Sequence, residues 1–245
     1  MYIREWVVHG HIVSQQSYGV NELLPLGCDS GSGIGIGGMG NHPPLSFMIA
    51  LASVYLDEEM LQKHLIQYIP DSITERHFIQ GTRPSNMAAL YNRVLVSAKS
   101  RYVIFAHPDV SFSEEVCSLL VSELKGDVGV TGLVGVSGPG KYVWANSIQE
   151  SQEVLSLDSC LMAVDREHGI HFDEGTFNEL HLYCEDYCYA ARSKGLRCLV
   201  VPAKQFWHES TTLKKDGACW GNYMGFHKLL MSKWKWRFGN DVVTT

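Results

Sequence analysis

Two polar side chains end an apolar run in the middle of the chain. Residues 102–107 read YVIFAH, the pattern of a buried strand, and Pro108 and Asp109 follow directly. Because α/β sheets bind ligands at the carboxyl ends of their parallel strands, His107 and Asp109 are predicted to lie at a binding edge. There the Asp109 carboxylate can ligate a divalent cation. The alternative is a turn that only caps the strand.

Two adjacent acids lie on a segment with helical periodicity. Glu185 and Asp186 fall within LHLYCEDYCYAARSKG, residues 180–195, which ends at a glycine as helices commonly do. A like-charged neighbour favours partial protonation of Asp186, which suits a general base. Alternatively, the pair forms part of a solvated helix face. His208 follows the last predicted strand, where it could complete a metal shell or contact phosphate.

A glycine-rich stretch matches two cofactor fingerprints at once. Residues 28–44 read CDSGSGIGIGGMGNHPP, which resembles both the methyl-donor loop of S-adenosylmethionine-dependent methyltransferases and a dinucleotide loop. Either loop needs a strand before it and a helix after it, but Pro25 precedes the stretch and two prolines end it. Residues 1–44 are therefore predicted to be an appendage or a flexible linker.

Charge and composition exclude several classes of protein. The chain of 245 residues has 26 acidic and 20 basic side chains and a net charge of -6, so it lacks the general cationic surface that binds nucleic acid. Its seven cysteines have no regular spacing, which favours reduced thiols. No apolar run is long enough for a membrane span, and the first residues lack a signal-peptide pattern. We expect a cytoplasmic protein, and the sequence leaves its oligomeric state open.

Strand and helix patterns alternate after residue 44 and predict one α/β domain over residues 45–245. The predicted strands are residues 47–54, 77–81, 102–107, 128–136, 154–164 and 196–202. The predicted helices are residues 57–68, 85–98, 113–124 and 180–195. Ser85 is predicted to cap the second helix. The aromatic and basic tail, residues 220–239, is predicted to be a helix that packs on the body.

Taken in order, these motifs resemble the family 2-like glycosyltransferases of the GT-A fold, over residues 45–215. The residues that carry the resemblance are Tyr91 and Asn92, His107 and Asp109, Asp158, the turn of Phe172, Asp173 and Glu174, Glu185 and Asp186 with Arg192, Gly195 and His208. The chain departs from the family pattern twice. His107 stands where the family's Asp-x-Asp begins, and Ser159 follows Asp158 where the family has glycine.

The resemblance implies a central, mostly parallel mixed sheet flanked by helices, and metal-dependent, inverting sugar transfer. Asp109, His107 and His208 would hold Mn²⁺ or Mg²⁺, and Asp186 with Glu185 would form the catalytic pair. The implied donor-binding residues are Val54, Tyr55, Asp57, Arg83, His107, Asp109 and Asp158.

The implied partners are a nucleotide-diphospho-sugar donor and a saccharide or other hydroxyl acceptor, used in polysaccharide or glycan assembly. Because His107 removes one carboxylate from the metal shell, a non-catalytic nucleotide-sugar binding module is an alternative. An S-adenosylmethionine-dependent methyltransferase is a third.

Overall fold

The computed structural model describes residues 3–8, 11–16, 48–82, 85–209 and 218–244. The chain divides into two compact units, residues 1–44 and 45–245. In the first unit, β1 (Ile3–Val8) pairs antiparallel with β2 (His11–Gln16). The glycine stretch lies outside the described residues, so its interpretation as a linker stays a prediction.

The second unit alternates strands and helices as the sequence predicts. Its strands are β3 (Ile49–Tyr55), β4 (Ile73–Gln80), β5 (Tyr102–Ala106), β6 (Val110–Phe112), β7 (Val128–Gly132), β8 (Val134–Gly138), β9 (Lys141–Trp144), β10 (Gln152–Val154), β11 (Ser156–Leu157), β12 (Leu161–Asp165), β13 (Arg197–Val200) and β14 (Phe206–His208). Its helices are α1 (Glu58–His64), α2 (Met87–Ser97), α3 (Glu114–Ser122), α4 (Tyr183–Ser193) and α5 (Ala218–Phe238).

A seven-stranded sheet forms the centre of this unit, in the order β10-β13-β7-β12-β5-β3-β4. The neighbours β4, β3 and β5 run parallel, as do β7 and β13. The strand β12 runs antiparallel to both β5 and β7, and β10 runs antiparallel to β13. The predicted α/β class with a mostly parallel mixed sheet is confirmed.

Three segments that carry predicted site residues meet at one edge of this sheet. The parallel neighbours β3 and β5 end at the same edge, after Tyr55 and Ala106. The antiparallel β12 starts there, because Leu161 pairs with Ala106. The His107 N–H donates to the Cys160 carbonyl at 2.9 Å. The chain just after β5 and just before β12 is therefore held together by backbone contacts.

Local capping sets where two helices begin. The Ser113 side chain accepts a hydrogen bond from the Val116 N–H at the start of α3. The prediction that Ser85 caps α2 is wrong, because Asn86 accepts from the Ala89 N–H at 3.0 Å. The Ser85 hydroxyl donates to the Thr82 carbonyl instead and so belongs to the preceding turn.

The tail folds as predicted into α5, which packs on the core. Phe226, Leu230 and Trp234 recur every fourth residue along it and are buried. Among the described residues, no helix is long and apolar enough to cross a bilayer.

Candidate metal and donor site

A two-stranded ribbon brings the late histidine to the end of β5. The short strand β6 begins right after Asp109 and pairs antiparallel with β14, so that His208 lies opposite Val110. The Glu209 N–H donates to the Asp109 carbonyl at 3.0 Å and extends this pairing. About a hundred residues separate Asp109 from His208 in sequence, and the ribbon places them side by side.

The three predicted ligands form one group with the chemistry of a metal site. One ligand atom each from His107, Asp109 and His208 all lie within 4.8 Å of one another. The His208 Nε2 is 3.4 Å from the Asp109 Oδ1, and the two imidazole ring centroids are 5.7 Å apart. Two imidazole nitrogens and one carboxylate oxygen are a donor set that first-row divalent cations accept. These residues therefore fit a divalent metal.

The charges within this group prepare Asp109 to act as an anion. Burial raises the pKa of Asp109, but the contact with His208 and the charge of His107 outweigh burial and lower it to about 2. Burial lowers the pKa of His107. It also opposes protonation of His208, yet the contact with Asp109 prevails and raises the pKa of His208. A carboxylate ionised at neutral pH is the form that binds a cation.

The loop before β12 supplies two more polar side chains. The Asp158 Oδ1 accepts a hydrogen bond from the Cys160 N–H at 2.7 Å, which holds the carboxylate at the turn. The Ser159 hydroxyl lies 3.0 Å from the His107 Nε2. The two departures from the family pattern, His107 and Ser159, are thus in direct contact. The sequence alone does not link His107 with Ser159, because they are 52 residues apart and only the pairing of β5 with β12 brings them together.

Glu185 is the carboxylate that precedes Asp186 on α4. It lies in the first turn of that helix and is 5% exposed. Burial raises the pKa of Tyr223 on α5 to about 12, and the charges of Glu185 and Asp158 both add to the rise. The role of Glu185 in a catalytic pair stays a prediction.

Asp186 lies against α5 and is only 1% exposed. The Trp234 Nε1 donates to its Oδ1 at 2.7 Å, and the Lys233 Nζ lies 2.9 Å from the same oxygen. Burial raises the pKa of Asp186, and these two partners only partly oppose it. The rise agrees with the sequence-based expectation, but burial causes it rather than the adjacent acid. The role of Asp186 as a general base stays a prediction.

The turn of Phe172, Asp173 and Glu174 is fixed at each of its residues. The Phe172 ring packs in the core, and its centroid lies 5.3 Å from the centroid of the Phe105 ring. The Lys233 Nζ donates to the Asp173 Oδ2 at 2.7 Å, so one lysine joins this turn to α4. The Asn92 amide donates to the Glu174 Oε2 and to the Phe172 carbonyl, both at 2.9 Å. In this chain the turn therefore positions α2, α4 and α5 relative to one another.

Three of the four predicted nucleotide-binding residues lie at or just beyond the end of β3. Val54 and Tyr55 are the last two residues of that strand, and Val54 is buried whereas Tyr55 is half-buried. The Asp57 side chain caps α1 by accepting from the Met60 N–H at 3.2 Å. Arg83 lies outside the described residues. Donor binding by these four residues stays a prediction.

Comparison with known proteins places the fold. No family model matches the sequence, and no curated protein matches it. A crystal structure of S. aureus TarS 1-349 in complex with UDP-GlcNAc has a TM-score of 0.51 at 14% identity, over 76% of this chain and 65% of that one. The chain has the GT-A fold.

Two further solved structures of this fold carry a metal. GalNAc-T7 with UDP, GalNAc and Mn²⁺ has a TM-score of 0.48 at 11% identity, over 66% of this chain and 44% of that one. A mannosyltransferase from Pyrobaculum calidifontis with GDP-Man and Mn²⁺ has a TM-score of 0.47 at 13% identity, over 64% and 55%. This chain therefore spans between 44% and 65% of the lengths of the three solved chains.

Proposed function

We propose that this GT-A protein is a metal-dependent glycosyltransferase, related to family 2, that transfers a sugar from a nucleotide-diphosphate donor to a hydroxyl acceptor with inversion. The observation that carries the proposal is the group of His107, Asp109 and His208 at the carboxyl end of β5. In α/β sheets this is the edge at which ligands bind. The acidic chain has a net charge of -6, so a bound cation would supply the positive charge that a diphosphate needs.

The donor set favours Mn²⁺ over Mg²⁺. Magnesium prefers oxygen ligands in a strict octahedron, whereas imidazole nitrogens suit the first-row transition metals. His107 and His208 supply the nitrogens and Asp109 the carboxylate. When bound, the cation would polarise the phosphoryl oxygens and stabilise the departing nucleoside diphosphate.

We assign the general base to Glu185. An inverting transfer needs one base that takes the proton of the acceptor hydroxyl on the face opposite the leaving group. Glu185 lies in the first turn of α4, one residue before Asp186. The Asp186 carboxylate is bound to Trp234 and Lys233 of α5. This supports Glu185 as the reacting carboxylate and Asp186 as an anchor for α5.

Donor recognition is proposed for the edge between β3 and β5. Asp158 precedes Ser159, whose hydroxyl contacts His107, and is proposed to bind the donor sugar. Tyr55, Asp57 and Arg83 are proposed to contact the nucleotide. The described cysteines, among them Cys160 and Cys198, are free thiols, which supports a reducing compartment such as the cytoplasm. Assembly of a polysaccharide or glycan is the proposed context.

The proposal is tested by two measurements on the full chain. Thermal unfolding is followed with UDP, GDP, ADP and CDP, each with Mn²⁺, Mg²⁺ or EDTA, because a ligand that binds only the native state raises the melting temperature. Release of nucleoside diphosphate from UDP-GlcNAc and GDP-Man is then measured with the stabilising metal. Thermal unfolding is also followed with S-adenosylmethionine. Stabilisation by nucleotide without turnover would support the binding module, and stabilisation by S-adenosylmethionine alone would support the methyltransferase.

Asp109→Asn is expected to abolish the metal-dependent part of this stabilisation. The substitution keeps the size of the side chain but removes the anionic ligand, so the Mn²⁺ Kd is expected to rise by at least about a hundredfold. The melting temperature with nucleotide would then equal that measured in EDTA. Asp127→Asn is the matched control, because Asp127 is exposed and pairs with Arg197. An unchanged response to EDTA in Asp109→Asn would contradict ligation by Asp109.

Ser159→Gly is expected to weaken Mn²⁺ binding by about tenfold to a hundredfold. A partner on the second ring atom of a ligating histidine fixes its orientation and tautomer, and its loss typically costs that much affinity. The measurement is a Mn²⁺ titration followed by thermal unfolding. Glycine inside a helix is itself destabilising, so the control uses alanine at both positions. Ser159→Ala is compared with Ser122→Ala, because Ser122 lies on α3 and is exposed. Equal Mn²⁺ affinity in both alanine variants would show that the Ser159 contact has no effect on the metal.

A further inference from the structure

One face of α5 is fixed to the body of the protein. Phe226, Leu230 and Trp234 are buried along it. The Lys233 and Trp234 side chains also bond Asp186 on α4. Because burial and hydrogen bonds hold this face inward, the opposite face of α5 is the one presented outward.

The outward face of α5 is rich in large apolar side chains. Trp236 is 77% exposed, Met224 51% and Leu229 44%. Leu229 and Trp236 are seven residues apart, which places them on the same side of a helix. A single exposed apolar residue needs no explanation, but Leu229 and Trp236 lie side by side on one flank of the outward face, with Met224 on its other flank, and together they indicate an interaction surface.

Basic side chains lie among these apolar residues. Lys228 and Lys235 are exposed, four and eleven residues after Met224, so they fall on the Met224 flank of the outward face, about 100° around the helix from Leu229 and Trp236. Arg237 is exposed at the end of the helix, and Asp241 is an exposed acid in the turn that follows. The whole chain carries a net charge of -6, so this face differs in sign from the average of the molecule.

We propose that the outward face of α5 docks on an anionic phospholipid surface. Tryptophan and leucine insert at the boundary between headgroups and acyl chains, while lysines reach the lipid phosphates with their long stems. Trp236 and Leu229 take the first role, and Lys228 and Lys235 the second. The helix lies in the plane of the membrane rather than across it.

Anionic lipid fits this face better than nucleic acid does. Binding to nucleic acid draws most of its affinity from many phosphate contacts, and this face offers few cations beside its exposed aliphatic groups. An anionic lipid surface binds both the lysines and the apolar side chains. The attraction of each lysine to the charged leaflet adds to the binding free energy gained from apolar insertion. The inference does not depend on the proposed sugar transfer.

Co-sedimentation of the full chain with vesicles tests the proposal. The protein is expected to pellet with vesicles that contain phosphatidylglycerol, to remain in solution with phosphatidylcholine alone, and to be released as salt rises. Lys228→Gln with Lys235→Gln is expected to lower partitioning about 25-fold, since each lysine near an anionic surface contributes about a factor of five. Trp236→Ser is expected to lower it about tenfold.

Tyr68→Ser is the matched control, because Tyr68 is 56% exposed on a different segment of the chain. It should partition as the unchanged protein does, and all variants should keep the same melting temperature. Failure to pellet with phosphatidylglycerol vesicles would overturn the proposal, as would an equal loss in Tyr68→Ser. Binding to a DNA oligonucleotide that the two lysine substitutions abolish would overturn it in favour of a nucleic acid partner.

Discussion

Glu185→Gln is expected to lower kcat for sugar transfer by about 10²- to 10⁴-fold, the range that a general base contributes. Glutamine keeps the size of the side chain and its capacity to hydrogen bond, but it cannot take a proton from the acceptor. The KM for the donor is expected to change little, because the proton moves only in the transition state. Metal and nucleotide binding, followed by thermal unfolding, should match those of the unchanged protein.

Asp186→Asn decides between the two adjacent carboxylates. The sequence-based prediction assigns the base to Asp186, whereas its burial and its bonds to Lys233 and Trp234 favour a structural role. If Glu185 is the base, Asp186→Asn retains transfer within about tenfold. Loss of transfer in Asp186→Asn, with full transfer in Glu185→Gln and an intact fold in both, would return the assignment to Asp186.

The order of elements could be predicted because the periodicity of the sequence changes clearly between strands and helices. Residues 102–107 form an apolar run that becomes β5, all of whose residues are buried. A run of that kind is what a strand covered by helices on both sides requires. The grouping of His107, Asp109 and His208 was expected from the family resemblance, and the pairing of β6 with β14, which contains His208, brings the three side chains together.

Two predicted strands, residues 128–136 and 154–164, are wrong as single strands because tertiary pairing divides them. The second is divided among the end of β10, β11 and β12. Residues 128–136 read as one apolar run, but the chain leaves the central sheet after Gly132 and continues in β8 of a separate three-stranded sheet. A Cβ at Gly132 would come within 3.1 Å of the Leu161 carbonyl oxygen, so the close approach of β12 favours glycine at this position. Neither the strand propensity of these residues nor their hydrophobic periodicity indicates this contact with β12.

The partners of Asp186 could not be predicted for a similar reason. The tail was recognisable as aromatic and basic, and its helix is confirmed. However, Lys233 and Trp234 lie 47 and 48 residues beyond Asp186, and no spacing rule relates side chains on two separate helices. The carboxylate was therefore predicted to face substrate, although the structure buries it between α4 and α5.

Lys233→Met is expected to destabilise the protein by about 2–4 kcal/mol in free energy of unfolding. Removing one partner of a buried ion pair leaves the other charge without compensation, which costs more than the pair itself contributes. Asp186 is 1% exposed and would keep only the Trp234 N–H, and Asp173 would lose the same lysine. The measurement is urea unfolding of the metal-free chain, with the slope m checked for two-state behaviour.

Lys235→Met, two residues along α5 on its exposed face, is the matched control and should change stability by no more than about 0.5 kcal/mol. Asp186→Asn should cost less than Lys233→Met, because the raised pKa of Asp186 means that folding disfavours its ionised form despite both partners.

The raised pKa of Asp186 also predicts how the free energy of unfolding depends on pH. An acid whose pKa is raised by folding reduces stability as pH rises from its unfolded pKa through its folded pKa. The stability of the unchanged protein relative to Asp186→Asn should therefore fall over that interval. In Lys233→Met the fall should be larger, since the ionised carboxylate has lost its cation.

The double variant Lys233→Met with Asp186→Asn should recover most of the loss of stability at neutral pH, because no charged Asp186 carboxylate is left in the core. Equal destabilisation of the single and double variants would show that lost packing, and not an uncompensated carboxylate, causes the effect of Lys233→Met.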